Sequence, residues 1–185
     1  MKFVFIFILL FQLVACSSQN EALDKIHGYT MGTSYNVQWR SLASIDPSVA
    51  QKDIDQILLM VNQQMSTYQT DSELSIFNAA KPPYEQKISP ELFEVLKQSF
   101  SLYELTGGYF DISVGPMVNL WGFGPDKMPT KLPSQEATKK AQQQVGLTDV
   151  SLGDLSVKKV KQRYLDLSAI AKGYGVDLVA DYLEE

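Results

Sequence analysis

Residues 165–175 have the sequence LDLSAIAKGYG and join a predicted strand directly to a predicted helix. Free backbone amides at the start of a helix, with the positive end of the helix dipole, attract anions such as phosphate. Lys172 adds a positive charge, and Asp166 or a nearby carbonyl oxygen has the chemistry to hold a divalent cation. Glycine inside a helix costs about 1 kcal/mol relative to alanine, so Gly173 and Gly175 predict close packing against this helix. Contact between helix and sheet explains the glycines as well as a phosphate site does.

In the rest of the chain, apolar periodicity predicts helices and strands in an α+β arrangement. Alternating residues predict a strand over 29–40, and one or two short strands are expected over 157–167. Glycine and proline are frequent over residues 110–126, which predicts an ordered loop there. Five helices are predicted to begin directly after polar residues: Asp46, Asp71 or Ser72, Ser89, Ser134 and Ser168.

The N-terminal residues have the pattern of a secretion signal. Lys2 precedes an apolar run at residues 3–11, which is shorter than the roughly 20 apolar residues that a transmembrane helix needs. Residues 13–16, LVAC, resemble the lipobox of bacterial lipoproteins, so we expect Cys16 to carry a lipid. An uncleaved anchor or a buried apolar segment is the alternative explanation of the run.

This interpretation divides the chain into three parts. We expect a cleaved signal peptide over residues 1–15, a tether over 16–22 and one folded domain over 23–185, lipid-anchored in the cell envelope and facing the periplasm. With 45% apolar and 20% charged residues, the composition is that of a globular protein. The net charge is -5 and basic residues are scattered, which argues against a nucleic-acid partner.

Three further segments have residues suited to binding a flat ligand. Met31-Gly32-Thr33 opens a strand, although a turn glycine beside a core methionine is the favoured explanation of this segment taken alone. Tyr68 follows a helix end, and its ring is suited to lie against a ligand or to complete a core. In residues 106–111, TGGYFD, paired glycines let backbone approach a ligand, and the aromatic pair and the acid could hold a ring system. An ordinary helix stop explains the glycines too, and the order of elements excludes a Rossmann site.

Taken together, four segments in this order resemble the ApbE family of flavin transferases: residues 31–33, 65–78, 106–125 and 165–177. The resemblance implies an α+β fold of the ApbE type, which is T-fold-like, with a mixed sheet and packed helices. It also implies binding of FAD and Mg²⁺, and transfer of FMN from FAD to a Thr or Ser hydroxyl of an acceptor protein, with AMP leaving. The C-terminal part of the domain is expected to be missing from this sequence.

The resemblance also assigns site residues. Contacts to FAD fall on Met31, Tyr68, Tyr109, Phe110, Asp111, Asp166 and Lys172. The first magnesium ligand falls on the carbonyl of Ala169. A catalytic histidine of the family, with further metal ligands, belongs to the missing portion, and the single histidine here, His27, precedes the first motif. We therefore expect the chain alone to be inactive or severely impaired. An FAD-binding or FAD-hydrolysing lipoprotein, or an inactive fragment of a transferase, are the alternatives.

Overall fold

The computed structural model describes residues 23–40, 45–126 and 128–184. Within these residues helices are combined with antiparallel sheets, which confirms the α+β class. Every strand pair in the described ranges is antiparallel, so the parallel pairing that a mixed sheet requires is not seen among them. The predicted signal peptide, the tether and Cys16 lie outside the described residues. In the described ranges, no helix has the length and apolar character needed to cross a membrane.

The described strands form two sheets. They are β1 (Leu23–Thr30), β2 (Thr33–Arg40), β3 (Tyr84–Lys87), β4 (Val150–Leu152) and β5 (Ser156–Lys159). The α-helices are α1 (Pro47–Met65), α2 (Glu73–Ala79), α3 (Pro90–Leu105), α4 (Gly115–Leu120), α5 (Gln135–Gln142) and α6 (Ala171–Glu184). Strands β1 and β2 make a hairpin, and the second sheet has the order β3-β5-β4.

A two-residue turn connects β1 to β2. Thr30 pairs with Thr33, so Met31 and Gly32 form the loop, with φ angles of 49° and 71°. Positive φ at both positions is what a two-residue hairpin with the right-handed strand twist requires. The strand predicted over residues 29–40 included only the last two residues of β1, and Gly32 permits the left-handed backbone that separates β1 from β2.

Four of the five predicted helix starts are confirmed by their capping hydrogen bonds, whereas the helix predicted directly after Ser168 begins at Ala171. The side chains of Asp46, Ser89 and Ser134 accept hydrogen bonds from backbone N–H groups at the starts of α1, α3 and α5. Of the two candidates for α2, Ser72 is the cap, and its Oγ accepts from Ser75 N at 3.0 Å. For these four helices, the capping residues in the sequence were sufficient to locate the N-terminus.

Two regions differ from the prediction. Residues 110–126 are not a loop throughout, because they contain a 3₁₀ turn at Ile112–Val114 and then α4, in which Pro116 occupies the first turn. Proline is tolerated there because its missing N–H has no partner in the first turn of a helix. In residues 157–167 only the end of β5 is a strand, and the chain then continues without regular structure up to α6.

Two apolar clusters form the core. The larger lies between α3, the end of α1 and the segment before α6, and includes Phe77, Leu96 and Leu165. The smaller lies between the hairpin, the first half of α1 and the second half of α6, where Val179 is buried. Helix α6 enters both clusters, because Ala171 at its start belongs to the larger one.

Candidate functional site

A cavity of about 710 Å³ lies where the hairpin turn, the end of α1 and the start of α6 meet. The hairpin contributes Met31 and Gly32, and α6 with the residues before it contributes Ser168, Ala171 and Lys172. The end of α1 and the loop that follows contribute Val61, Asn62 and residues 65–69, and Phe123 completes the lining. Three predicted FAD contacts, Met31, Tyr68 and Lys172, are thus brought together.

The hairpin turn is joined to the helices on either side. Asn62 Nδ2 donates to Thr30 Oγ1 at 2.9 Å, which links α1 to the end of β1. A Cβ atom added at Gly175 would lie 3.6 Å from Met31 Cε and 3.4 Å from Leu58 Cδ2, which is ordinary van der Waals contact. Met31 therefore lines the cavity from a left-handed turn position that is packed against α6.

Residues 165–168 precede α6 and are termed the turn wall. Ser168 lines the cavity, and the other three residues are buried behind it. The backbone of the turn wall is fixed by buried hydrogen bonds: Asp166 N donates to Ile112 O at 2.7 Å, and Ser168 N donates to Asp166 Oδ1 at 2.7 Å. Asp166 is buried beneath the exposed Ser168 and does not itself line the cavity. The carboxylate of Asp166, which was predicted to contact FAD, therefore fixes the backbone of the turn by accepting a hydrogen bond from Ser168 N.

Asn78 holds the same segment from the other side. Its Nδ2 donates to Leu165 O and its Oδ1 accepts from Leu165 N, both at 2.8 Å. Sequence reasoning assigned Asn78 to a motif without a role, because its partner lies 87 residues further along the chain.

The start of α6 exposes groups that suit an anion or a hard cation. Ala169 is exposed, and no backbone N–H of the described residues donates to its carbonyl oxygen. Lys172 is exposed as well. Close packing was expected at Gly173, but in the described structure nothing lies within 4 Å of a Cβ added there. That expectation is wrong for Gly173, whose surroundings are open.

Tyr68 and Phe123 also line the cavity, and together they are termed the aromatic wall. Tyr68 Oη donates to Phe123 O at 3.0 Å, and the two side chains are 64% and 76% exposed. Ser66 Oγ accepts from Tyr68 N at 3.0 Å and from Gln69 N at 3.2 Å, which fixes the backbone below the ring. The rings themselves have few neighbours, so this wall presents aromatic surface to solvent.

The predicted contacts at Tyr109, Phe110 and Asp111 do not line this cavity. Tyr109 is 97% exposed. Phe110 N donates to Thr106 Oγ1 at 3.0 Å, and its ring packs against the larger apolar cluster. Asp111 Oδ1 accepts from Ser113 N and Ser113 Oγ, both at 2.7 Å, and so caps the 3₁₀ turn.

Tyr164 is a residue near the site that sequence reasoning missed. Burial, followed by the nearby charges of Asp166 and Asp126, raises the pKa of its phenol, whereas Asn119 and Thr67 side chains lower it in part. Thr67 lines the main cavity, and Tyr164 with Asn119 lines a second cavity of about 410 Å³. Tyr164 therefore lines the second cavity and carries a neutral hydroxyl at physiological pH.

Metal-ligating side chains do not cluster in the described ranges: no group of three or more His, Cys, Asp and Glu residues is placed to hold an ion. A site here would depend on backbone oxygens such as that of Ala169 and on oxygens of the ligand. Magnesium is commonly bound in this way, through one or two protein ligands, substrate phosphates and water.

Comparison with known proteins gives consistent matches. A model described as the ApbE family matches residues 31–185. An "FAD:protein FMN transferase" of Vibrio cholerae is 41% identical over 174 residues, covering 93% of this chain and 52% of that protein. One of the same name from Haemophilus influenzae is 42% identical over 184 residues, covering 94% and 52%. The chain thus spans about half the length of the curated relatives it matches.

Solved structures agree with this. The flavin transferase ApbE from Vibrio cholerae has a TM-score of 0.83 at 40% identity, covering 88% of this chain and 54% of that one. The apo form of the Pseudomonas stutzeri flavinyl transferase ApbE has a TM-score of 0.82 at 32% identity, with 88% and 53% covered. The fold described above is therefore the fold of the corresponding half of these proteins.

Proposed function

Because the chain belongs to the ApbE family, we propose that it forms the flavin-binding part of an enzyme that transfers FMN from FAD to an acceptor protein. The acceptor group is a Thr or Ser hydroxyl, the reaction requires Mg²⁺, and AMP is released. The observation that carries the proposal is the cavity in which Tyr68, Lys172 and the start of α6 meet. Its volume of about 710 Å³ lies in the range of small-molecule sites.

Different parts of the cavity bind different parts of FAD. The exposed rings of the aromatic wall offer a surface on which a flat ring system stacks. The ammonium group of Lys172 and the positive end of the α6 dipole attract the diphosphate. Met31 supplies apolar contact from the hairpin turn.

The residues at the start of α6 fit one side of a magnesium site. The exposed carbonyl of Ala169, which accepts no backbone hydrogen bond from the described residues, is a suitable hard oxygen ligand. When bound, the ion supplies positive charge that stabilises the diphosphate as its bridging bond breaks. Lys172 adds to this positive charge from the protein.

In the proposed reaction the acceptor hydroxyl oxygen attacks the FMN-side phosphorus of FAD. A phosphorus–oxygen bond forms to the acceptor, the bridging phosphorus–oxygen bond breaks, and AMP leaves with the bonding electrons. The hydroxyl proton passes to a base that is not among the described lining residues. His27 does not serve as this base, because it lies exposed on β1 and does not line the cavity. The described residues thus position the diphosphate.

We also propose that Cys16 is lipid-modified and anchors the protein to a bacterial membrane on the periplasmic side. Labelled palmitate fed to cells should be incorporated into the protein, and Cys16→Ser should abolish the incorporation. Equal labelling of both proteins would reject the anchor.

The test of the transfer reaction uses the protein expressed from its complete reading frame. It is incubated with FAD, Mg²⁺ and an acceptor protein that carries a target Thr, and covalent flavin fluorescence on the acceptor and release of AMP are measured. Transfer that is lost with EDTA supports the proposal. Release of FMN and AMP with no labelled acceptor would identify an FAD hydrolase instead, and binding without products would identify a flavin carrier. This chain alone, tested in parallel, is expected to show no transfer.

A further inference from the structure

The side chain of Asn78 makes the same pair of hydrogen bonds to a single residue that a neighbouring β-strand would make. It donates to Leu165 O and accepts from Leu165 N, both at 2.8 Å, and it is only 4% exposed. Buried hydrogen bonds of this kind have little competition from water. The carboxamide therefore fixes the backbone of Leu165 in a part of the chain that belongs to no sheet.

Asn78 is itself firmly placed at the end of α2. Its carbonyl oxygen accepts from Lys159 Nζ and from Gln162 Nε2, both at 3.1 Å. Lys159 is fully buried and also donates to Phe77 O at 2.6 Å. The reference point for Leu165 is thus a helix end that is fixed by its own buried bonds.

The bonds to Leu165 are the first of a series that leads into the cavity. Leu165 is followed by Asp166, whose N–H donates to Ile112 O and whose carboxylate accepts from Ser168 N, each at 2.7 Å. Leu165 and Leu167 are fully buried, so the segment is anchored in the larger core at alternate positions. Beyond it, Ser168 and Lys172 line the cavity.

We propose that Asn78 is a positioning residue for the FAD site, and that its carboxamide sets the position of the turn wall and hence of the start of α6. This inference rests on the proposed function. Asn78 touches no ligand itself. It acts through Leu165, and the alignment of the anion-binding amides with the diphosphate depends on it, because displacement of a site by about 1 Å is enough to cost large factors in binding and rate.

The sharpest variant is Asn78→Asp, which keeps the shape and the acceptor for Leu165 N but replaces the donor with an oxygen facing Leu165 O. We expect the Kd for FAD, measured by flavin fluorescence in Mg²⁺ at a temperature well below all unfolding midpoints, to rise by about tenfold or more. The matched control is Gln86→Leu, which removes the hydrogen bond from Gln86 Nε2 to Glu73 O at the other end of α2 and involves neither Asn78 nor residues 165–168. It should lower stability and leave the Kd within about twofold.

The outcomes separate this inference from the proposed function. If the unaltered protein shows no magnesium-sensitive FAD binding, the proposed function fails. If it binds, and Asn78→Asp binds equally well, Asn78 is not a positioning residue. Equal weakening by Gln86→Leu and Asn78→Asp at a similar loss of stability would likewise overturn the inference, because both would then act through α2 alone.

A measurement on the unaltered protein covers the case in which Asn78→Asp does not fold. Amide hydrogen exchange is followed with and without FAD and Mg²⁺. We expect the ligands to slow exchange at Leu165 and Asp166 at least threefold more than at the amides of β5, because no residue of β5 lines the cavity. Exchange at Leu165 that does not respond to the ligands would contradict the inference.

Discussion

The two walls of the cavity are built in opposite ways. The turn wall is held by buried hydrogen bonds from Asn78 and Ile112 and by apolar anchors at alternate residues. The aromatic wall exposes 64% of Tyr68 and 76% of Phe123, and a single hydrogen bond joins the two. The difference matches the tasks proposed for them, because a diphosphate demands a fixed arrangement of amides whereas stacking on a flat ring tolerates movement.

The largest expected effect is on the stability of the turn wall. Asn78→Ala leaves the N–H and C=O of Leu165 buried without partners, and should lower the free energy of unfolding by about 3 kcal/mol. Denaturant unfolding measures it. Ser66→Ala, which removes two backbone hydrogen bonds beneath the aromatic wall, should cost only about 1 kcal/mol because those groups remain closer to solvent. A similar loss of unfolding free energy in both variants would contradict the difference in rigidity between the two walls.

Next in size is the packing between α4 and Tyr164. A Cβ at Gly115 would lie 2.3 Å from Tyr164 Cδ1 and 3.0 Å from its backbone oxygen, so Gly115→Ala should destabilise by about 2 kcal/mol. Thermal unfolding followed by circular dichroism checks this. An unchanged melting temperature would mean that the ring and α4 move apart freely, and that this side of the turn wall is less rigid than described.

Lys172→Ala tests the electrostatic side of the contrast. The exposed side chain contributes little to folding, but loss of its charge should raise the Kd for FAD by about tenfold. Fluorescence titration measures the Kd, and the matched control is Lys97→Ala, an exposed lysine on α3 that does not line the cavity. Equal Kd values for FAD in the two variants would show that Lys172 does not contribute to the proposed diphosphate site.

Gly173→Ala probes the open face of α6. Because nothing in the described structure lies within 4 Å of the added Cβ, this variant should raise the free energy of unfolding by about 0.5–1 kcal/mol through helix propensity. A simultaneous fall in FAD affinity would show that the ligand approaches the backbone at Gly173, which would extend the turn wall by one turn of helix. A loss of stability would contradict the open surroundings.

The smallest effect is expected on removal of the Tyr68 hydroxyl. Tyr68→Phe removes the hydrogen bond to Phe123 O but keeps the ring, so the Kd for FAD should change by no more than about twofold. Tyr68→Ala removes the stacking surface and should weaken binding by about tenfold. If the phenylalanine variant is as weak as the alanine variant, the hydroxyl rather than the ring is what FAD recognises.

Features determined by neighbouring residues could be predicted from the sequence. Helix caps such as Ser89 and Ser134 act on N–H groups three residues away, and their predictions are confirmed. Strands β3 and β4 were missed because they have four and three residues, too few to show a period. Helix α4 was missed because glycine and proline predict a loop unless the first-turn role of Pro116 is considered.

The same distinction applies to the site. Met31, Tyr68 and Lys172 carry recognisable chemistry in recognisable motifs, and the structure brings them to one cavity. Asn78 and Tyr164 could not be assigned from the sequence, because what they do depends on partners brought near by folding, 87 residues away in the case of Asn78 and Leu165. The residues that support the site are therefore the ones for which a structure was needed.

Helix α6 is buried at one end in the larger apolar cluster, through Ala171, and at the other in the smaller, through Val179. Melting this helix would expose both clusters at once, so neither has an independent route to unfolding. The hairpin and the remainder of the described fold should consequently lose structure in one cooperative transition, and a ligand held at the first turn of α6 would also stabilise the distant hairpin strands against global unfolding.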